Sequence, residues 1–335
     1  MFKVIYIDLN NHMRQKYFQS IYFAFLIVIS FSMSYYYRSI YNIKSYKYVF
    51  ELNKDINTLI IGDSHPMSSL DPDIIKNSKN ISLDSENYFF TYYKLKYYIS
   101  YNSHIKNVIL GFSTHNVSKM SSEMFIFHEP TEKQVLERYY RILDFEGKYR
   151  IMSSRKYFII SVLKYDLGIP LEIYKDDFLL KKLFNRNIYE SDYKFVGEFY
   201  KSDKSNVNNK DIQKKIKEYY YNDHMIYPGE SDLNIEYLNK IIEMCSKKGI
   251  KVYLYSSPVF PTFKELIPKE NLIDFERVKK DVIQNHKNTV YIDHTDYVLE
   301  RKDYGDQDHL NSLGAKVVSH IIYGILLKDN ENNFK

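Results

Sequence analysis

The fold of this chain is decided by the segment Asn57-Thr-Leu-Ile-Ile-Gly-Asp-Ser-His65. Its first half is a short apolar run that favours extended structure, and it predicts a buried strand over 58–61. The run stops at Gly62, a residue type that tolerates the backbone angles of a tight corner between a strand and a loop. We expect this strand to deliver Ser64 to the carboxyl edge of a parallel sheet, where open α/β folds place their chemistry. There the serine would lie beside backbone N–H groups that could hold a developing negative charge.

Further strand-like and helix-like segments alternate along the rest of the chain. Strands are predicted over 80–83, 107–111, 250–255 and 289–293, and helices over 88–100, from 232 onward, and after a cap at Asn311. Leu70–Ile75, with a proline early in it, also looks like the start of a helix. Strands that alternate with helices in this way predict a parallel sheet.

A second motif, Asp306-Gln-Asp-His-Leu-Asn311, lies near the other end of the chain. Among the ten histidines, only His309 has an aspartate three residues before it. A serine hydroxyl is a poor nucleophile until a base takes its proton, and that base needs an anion to fix its tautomer. Three residues is a workable distance for Asp306 to reach the far ring nitrogen of His309 across one turn.

These two motifs resemble the first and last sequence blocks of the SGNH/GDSL hydrolase superfamily. The longer strings Ile61-Gly-Asp-Ser-His65 and Asp308-His-Leu-Asn-Ser-Leu-Gly-Ala315 are closer to its membrane-anchored branch. That branch includes proteins that O-acetylate or D-alanylate bacterial surface polymers. The resemblance covers roughly residues 55–115 and 232–328.

The resemblance implies a three-layer α/β/α sandwich with a central parallel sheet, the flavodoxin-like arrangement of these hydrolases. It also implies that Ser64 is the nucleophile, His309 the base and Asp306 the acid that orients it. Release of the acyl group to water would make the protein an esterase, and release to a sugar hydroxyl would make it an acyltransferase.

The sequence departs from the superfamily pattern in two blocks. The second block carries a glycine whose N–H enters the oxyanion hole, whereas residues 80–87 here contain no glycine. The third block is normally Gly-x-Asn-Asp, whereas this chain has Gly111-Phe-Ser-Thr-His-Asn116, with the asparagine five positions after the glycine. The candidates for the oxyanion hole or for substrate contact are Asn116, Gly111, Asp63 and His65, and His65 could equally just complete the turn.

The N-terminal region contains 21 uncharged residues over 17–37, with tyrosines at both ends. This length suffices to cross a bilayer, so we expect an uncleaved single-pass anchor, with a cleaved secretory signal as the alternative. Either interpretation predicts an extracytoplasmic globular domain. The predicted divisions are a cytoplasmic segment at 1–16, the anchor at 17–37, a linker at 38–54, an α/β domain at 55–328 with a helical insert at about 117–230, and a tail at 329–335.

Composition excludes several other classes of function. The 335 residues carry a net charge of +5, and the lysines interleave with acids, so no basic stripe predicts nucleic-acid binding. The single cysteine, Cys245, cannot form an internal disulfide and lies on the apolar side of a predicted helix. No nucleotide-binding or phosphate-binding motif is present, and the proposed chemistry requires no metal or cofactor.

The expected function is therefore that of a membrane-anchored serine esterase or O-acyltransferase that acts on acylated polysaccharide of the bacterial cell surface. The alternative is a non-catalytic accessory or binding protein in polysaccharide acylation or assembly, which the missing glycine of the second block favours. A membrane-embedded acyltransferase is a candidate partner in either case. The insert at 117–230 could form a lid beside the site or an ordinary solvated helical region.

Overall fold

A computed structural model describes residues 49–122, 138–150 and 196–332, together with seven helical positions between residues 21 and 33. The chain divides into two compact units, residues 1–49 with 155–186, and residues 50–154 with 187–335. Every element named below belongs to the second unit.

The centre of this unit is a parallel sheet of five strands, in the order β2-β1-β3-β4-β5. The strands are Thr58–Ile61 (β1), Ser78–Asn80 (β2), Asn107–Gly111 (β3), Lys251–Ser256 (β4) and Thr289–Asp293 (β5). Around them lie helices at Ser64–Ser69 (α1), Tyr88–Tyr101 (α2), Thr114–Val117 (α3), Phe145–Arg150 (α4), Asn209–Tyr220 (α5), Asp232–Lys247 (α6), Pro261–Glu265 (α7), Lys269–Asn285 (α8) and Ser312–Asn332 (α9). The predicted parallel α/β fold is therefore present.

Short polar side chains begin the helices that flank the sheet. The side chains of Asn87 and Ser231 accept the N–H of the third residue of α2 and α6, and the side chain of Asn208 accepts the N–H of the second residue of α5. Asn311, predicted as a cap, accepts the N–H groups of Leu313 and Gly314 at 3.0 and 3.2 Å. Each such cap contributes about 1 kcal/mol to helix stability.

Both faces of the sheet are buried, as a parallel sheet requires. On one face Ile60, Ile109 and Tyr253 form a core with Val318 and Ile322 of α9. The side chains of alternate strand residues point to the opposite face, and these are also fully buried at Leu59, Val108, Leu110, Val252 and Leu254. Cys245 of α6 is wholly buried, and burial raises the pKa of its thiol to about 12, so it behaves as a small hydrophobe.

Two predicted elements differ from the structure. The helix expected over Leu70–Ile75 is wrong, because the chain is already helical from Ser64 and Leu70 is extended at its end. The carbonyl of Asp71 then accepts the N–H groups of Ile74 and Ile75, which makes a turn and not a helix. Strand β2 lies at Ser78–Asn80 instead of 80–83. Beyond it the N–H groups of Ile81 and Leu83 still donate to carbonyls of the β1 segment, while the Asn80 side chain accepts the N–H of Ser82.

The strand order 2-1-3-4-5 creates a switch point between β1 and β3. In open α/β sheets, ligands bind in the crevice outside the carboxyl ends of the strands at such a point. Helix α1 begins three residues after the end of β1, and α3 begins three residues after the end of β3. The topology therefore brings residues 62–65 and 112–116 to one crevice.

Several predictions fall on residues outside the described ranges. Most of the predicted anchor at 17–37 lies there, as do residues 123–137 and 151–195 of the predicted insert. Within the residues that are described, no helix has the length and apolar character needed to span a membrane. In the part of the predicted insert that the structure describes, α5 forms a helix at Asn209–Tyr220.

Candidate active site

The corner after β1 is built by a close approach between two glycines and a proline. Gly62 has a φ of +141°, and a Cβ there would lie 3.0 Å from Cγ of Pro66 and 3.1 Å from the backbone nitrogen of Gly111. At Gly111 a Cβ would lie only 2.8 Å from both Cγ and Cδ of Pro66. Gly111, a candidate donor from its sequence, thus lies beneath the first turn of α1 and lines neither cavity described below.

The structure brings Ser64, His309 and Asp306 into one hydrogen-bonded chain. Oγ of Ser64 lies 2.7 Å from Nε2 of His309, and Nδ1 of His309 lies 2.9 and 3.0 Å from the two carboxylate oxygens of Asp306. The turn that holds this acid is fixed by its own backbone, because the N–H groups of Asp308 and His309 donate to Asp306 Oδ1 at 3.0 and 2.9 Å. The imidazole is thereby oriented with Nδ1 toward the acid and Nε2 toward the serine.

The electrostatic surroundings of His309 favour its protonated form. Burial lowers the pKa of its imidazole, but the negative charges of Asp308 and Asp306 outweigh burial and leave the pKa raised. Lys215 opposes this rise. An imidazole with nearby carboxylates accepts the proton of a hydroxyl more readily than an isolated one.

Asp63 caps the N-terminus of α1. One oxygen accepts the N–H of His65 at 2.9 Å, and the other accepts Nε2–H of His115 at 2.7 Å and Nδ2–H of Asn116 at 2.6 Å. Burial works to raise the pKa of this carboxyl, but the neighbouring histidines and these hydrogen bonds hold it far below its usual range. Asp63 therefore ties the β1 corner to the loop after β3.

Asn116 lines a cavity beside Ser64, but its side chain is anchored on two sides. Its carbonyl oxygen accepts the N–H of Ser113 at 2.8 Å, and its Nδ2 donates to Asp63. These two bonds fix the plane of the carboxamide. The ring of His115, the neighbouring residue, packs against that of His65 with centroids 4.4 Å apart and planes tilted by 41°.

His65 is buried, at 2% exposure, and its two ring nitrogens make no hydrogen bond within the described residues. Its Nε2 lies 3.6 Å from Oδ2 of Asp308, and its ring lies 5.2 Å from that of His309. Burial is the main cause that lowers the pKa of His65, so this imidazole is neutral near pH 7. It lines neither cavity and therefore packs behind the site.

Asp308 is fully buried next to His309. Its carboxylate contacts Nζ of Lys215 and accepts the hydroxyl of Tyr219 at 2.9 Å, both from α5. Burial works to raise the pKa of Asp308, but His309, His65 and Lys215 hold it well below its usual range. A buried carboxylate that is paired in this way stays ionised.

The donor atoms of His65, Asp308 and His309 all lie within 4.8 Å of one another, as in a metal-binding group. However, both oxygens of Asp308 are engaged by Lys215 and Tyr219, and both ring nitrogens of His309 are engaged by Ser64 and Asp306. We therefore assign no metal ion to this group.

Two cavities meet at Ser64. The first, of about 600 Å³, is lined by Ser64, Ser85, Asn116 and Met120 among others. The second, of about 560 Å³, has a different lining, which includes Ser64, Ser68, Tyr200, Asn206, Asp211, Gln307 and His309. Lys214 and Glu218 of α5 line both cavities, so this helix lies along the boundary between them.

Ser85 has an unusual backbone conformation in the turn after β2. Its φ is +59°, in the left-handed region that favours glycine. This turn lies within residues 80–87, which contain no glycine. Outliers of this kind concentrate at functional sites.

Sequence reasoning missed five residues at the site: Ser85, His115, Lys215, Tyr219 and Asp308. His115 could have been found, because strands β1 and β3 were both predicted and their carboxyl ends meet. The two residues of α5 stand four positions apart on one helical face, which is also the pattern of an ordinary amphipathic helix. No local pattern in the sequence indicates their contact with Asp308.

Comparison with known proteins gives limited information. One protein-family model, whose description names no activity, matches residues 177–330, less than half of the chain. No curated protein matches the sequence. Among solved structures, a GDSL-like lipase from Bacteroides thetaiotaomicron is similar with a TM-score of 0.39 and 10% identity, over 87% of this chain and 98% of the lipase. We base no argument on a similarity of this size.

Proposed function

We propose that the protein is a serine-dependent ester hydrolase or O-acyltransferase that works through an acyl-enzyme on Ser64. The observation that carries the proposal is the hydrogen-bonded chain from Ser64 through His309 to Asp306, with distances of 2.7 and 2.9 Å. A serine, a base and an acid at these distances recur on unrelated folds that attack acyl groups.

In the proposed reaction, Oγ of Ser64 attacks the carbonyl carbon of an ester while Nε2 of His309 takes the hydroxyl proton. His309 passes this proton to the alcohol oxygen as the ester bond breaks, so the alcohol leaves neutral and the acyl group remains on Ser64. Water or a second alcohol then attacks the acyl-enzyme and gives its proton to His309. His309 passes this proton to Oγ of Ser64 as the acyl–oxygen bond breaks, which restores both side chains. Asp306 stays ionised and holds the imidazole in the productive tautomer.

The proposed oxyanion donors are the backbone N–H of Ser85 and the side-chain amide of Asn116. Both residues line the first cavity together with Ser64. The left-handed backbone of Ser85 supports this assignment, because it gives a serine the conformation that glycine usually supplies. Each donor to the oxyanion in such a site is worth about 10²-fold to 10³-fold in rate.

The two cavities suggest where the two halves of the ester bind. The alcohol must receive its proton from His309, and this residue lines only the second cavity. We assign the alcohol, whether leaving group or acceptor, to the second cavity and the acyl group to the first. The hydroxyl, amide and charged groups of the second cavity suit a polyhydroxylated alcohol such as a sugar.

The remaining parts of the functional assignment rest on the sequence resemblance. They are an acylated cell-surface or secreted polysaccharide as substrate, an anchor at 17–37 with an extracytoplasmic catalytic domain, and a membrane-embedded acyltransferase as partner. An alcohol cavity lined by sugar-compatible groups supports the first of these.

The test is reaction of the purified full chain with a fluorophosphonate probe, followed by intact mass. We expect one adduct, which is lost in S64A and strongly slowed in H309A. The matched control is S246A, because Ser246 is exposed on α6 and lines neither cavity. Absence of an adduct on folded wild-type protein would overturn the serine mechanism in favour of the non-catalytic role. Mass analysis of products from an acetyl ester, with and without added oligosaccharide, then separates hydrolysis from transfer.

A further inference from the structure

Helix α5 reaches the catalytic group with a cation. Nζ of Lys215 lies 3.5 Å from Oδ2 of Asp306 and 3.5 Å from Nδ1 of His309, and it contacts Oδ1 of Asp308. Nδ1 of His309 donates its proton to Asp306 in the productive tautomer, so the ammonium does not bond to that nitrogen and acts on it through space.

The position of Lys215 is explained by its ion pair with Asp308. This carboxylate is fully buried, and its Oδ1 lies 3.4 Å from Nδ1 of His309. A buried carboxylate without a partner destabilises the fold. Lys215 supplies the opposing charge, while Tyr219, one turn further along α5, donates a hydrogen bond to the other oxygen.

The charges that face His309 come from three elements. Its own loop contributes the two carboxylates of Asp306 and Asp308, α1 contributes the neutral ring of His65, and α5 contributes Lys215 and the hydroxyl of Tyr219. Lys215 is therefore the one cationic side chain against the imidazole among the residues that the structure describes. It offsets one of the two negative charges.

We propose that Lys215 is a positioning residue that sets the charge beside His309, and thereby the pH range in which His309 can act as a base. Helix α5 then contributes a functional side chain to the site. The inference rests on the proposed function of Ser64 and goes beyond it, because a serine, a histidine and an aspartate could operate without any cation from another element.

The surroundings of His309 shift its pKa in opposite directions, and removal of Lys215 is expected to raise it. Burial lowers the pKa of His309, the two carboxylates raise it, and Lys215 lowers it. Burial also lowers the pKa of Lys215, but Asp308 and Asp306 outweigh burial and leave this pKa raised, so the lysine remains charged at any pH where the site works. Removal of the cation would leave both carboxylates to stabilise the imidazolium form of His309, and that form cannot take a proton from Ser64.

The experiment is the pH dependence of fluorophosphonate labelling of Ser64 in the full chain, for wild type, K215M and K215R. The labelling rate is expected to fall at low pH along an acidic limb. We expect this limb to lie about 1–3 pH units higher in K215M than in wild type, the usual effect of one close charge. Near pH 6 this slows labelling by about tenfold or more, while the rate at the alkaline plateau changes little. Arginine keeps the charge, so K215R is expected to retain the wild-type limb.

K210M is the matched control, because Lys210 is an exposed lysine in the first turn of the same helix and lines neither cavity. K215M leaves the buried charge of Asp308 without its cationic partner, so this variant could fail to fold. The pH dependence of labelling is therefore also compared between D308N and K215M/D308N, in which Asp308 carries no charge. The limb is again expected to move upward when Lys215 is removed.

An acidic limb that stays in place on removal of Lys215 in both backgrounds would overturn the proposal and leave α5 a merely structural contact. Wild-type protein that does not label at any pH would instead contradict the serine mechanism itself. The two failures are therefore distinguishable.

Discussion

Nε2 of His309 lies 2.7 Å from Oγ of Ser64, although 245 residues separate them in the chain. Two different parts of the fold create this contact: the corner after β1 and the loop that leads into α9. Because α9 packs on the sheet through Val318 and Ile322, the loop that carries His309 is held over the carboxyl edge where Ser64 begins α1. Both residues are thus fixed by core packing.

The first prediction concerns the acid that orients His309. We expect D306N to slow labelling of Ser64 by about 10³-fold to 10⁴-fold, because an asparagine no longer holds the imidazole in the tautomer that accepts the proton. The measurement is the second-order rate with a fluorophosphonate at the alkaline plateau. D73N is the control, since Asp73 is exposed and lines neither cavity. A loss smaller than tenfold in D306N would show that another group orients His309.

The second prediction follows from the raised pKa of His309. The neutral imidazole is the form that accepts the serine proton, and a raised pKa means that this form dominates only above the ordinary value of about 6.5. We therefore expect wild-type labelling to fall as the pH is lowered through a limb above about pH 6.5. A rate that stays flat down to pH 5 would contradict the charge arrangement around His309.

The third prediction concerns the close approach between Gly111 and Pro66 beneath Ser64. A Cβ at Gly111 would lie 2.8 Å from two atoms of the Pro66 ring, which cannot rotate away, so G111A must displace α1. We expect a loss of about 1–3 kcal/mol in the free energy of unfolding, as for other overpacked sites, together with slower labelling of Ser64. Urea unfolding measures the first and the probe measures the second.

G324A is the matched control for G111A. A Cβ at Gly324, within α9, meets nothing within 4 Å, so alanine there is expected to stabilise the helix by about 0.5–1 kcal/mol. If both variants changed stability by the same amount, contact with Pro66 would not be the cause.

Local patterns in the sequence predicted most of the sheet. The predicted bounds of β1, β3 and β5 are confirmed at Thr58–Ile61, Asn107–Gly111 and Thr289–Asp293, because buried parallel strands are apolar runs that stop at turn residues. Helix α8 was not predicted, although its buried Phe275, Val278 and Val282 recur at helical spacing and could have indicated it.

The site was predictable only where its contacts join residues close together in the chain or follow from the order of the strands. The turn from Asp306 to His309 is local, and the Ser64 corner follows from a strand that ends at Gly62. The contact of Lys215 with Asp308 depends on how α5 packs, and the sequence carries no local signal for it. The role of Asp63 as the cap of α1 was also missed, because the helix was expected to begin later in the chain.

The fourth prediction uses the lowered pKa of Asp63. A carboxyl whose pKa is depressed in the folded state adds stability above its unfolded pKa of about 3.9, and this stability is lost as the pH falls below that value. At pH 7 we expect D63N to be less stable than wild type by about 1.5–3 kcal/mol, the worth of hydrogen bonds to a charged group. The difference should narrow as unfolding is measured from pH 4 downward. A difference that stays constant with pH would mean that the charge of Asp63 contributes nothing.

The last prediction concerns the buried ion pair between Lys94 and Glu86. Both side chains have 0% exposure, Nζ lies 2.6 Å from the carboxylate, and the same carboxylate accepts the hydroxyl of Tyr139 at 2.6 Å. K94M keeps the length of the side chain but leaves a buried negative charge without its partner. We expect a loss of about 3–5 kcal/mol in the free energy of unfolding, measured with urea.

Two further variants test the cause of this loss. K94M/E86Q removes both charges while glutamine can still accept the Tyr139 hydroxyl, so it should regain part of the stability that K94M loses. Lys96 lies on the same helix as Lys94 and forms a half-exposed ion pair with Asp144. K96M breaks this pair and is expected to cost less than about 1 kcal/mol. Equal losses in K94M and K96M would show that burial of the Glu86 charge is not what makes Lys94 necessary. Because Glu86 also lines the first cavity, labelling of Ser64 in the double variant reports whether this charge matters to the site as well as to the fold.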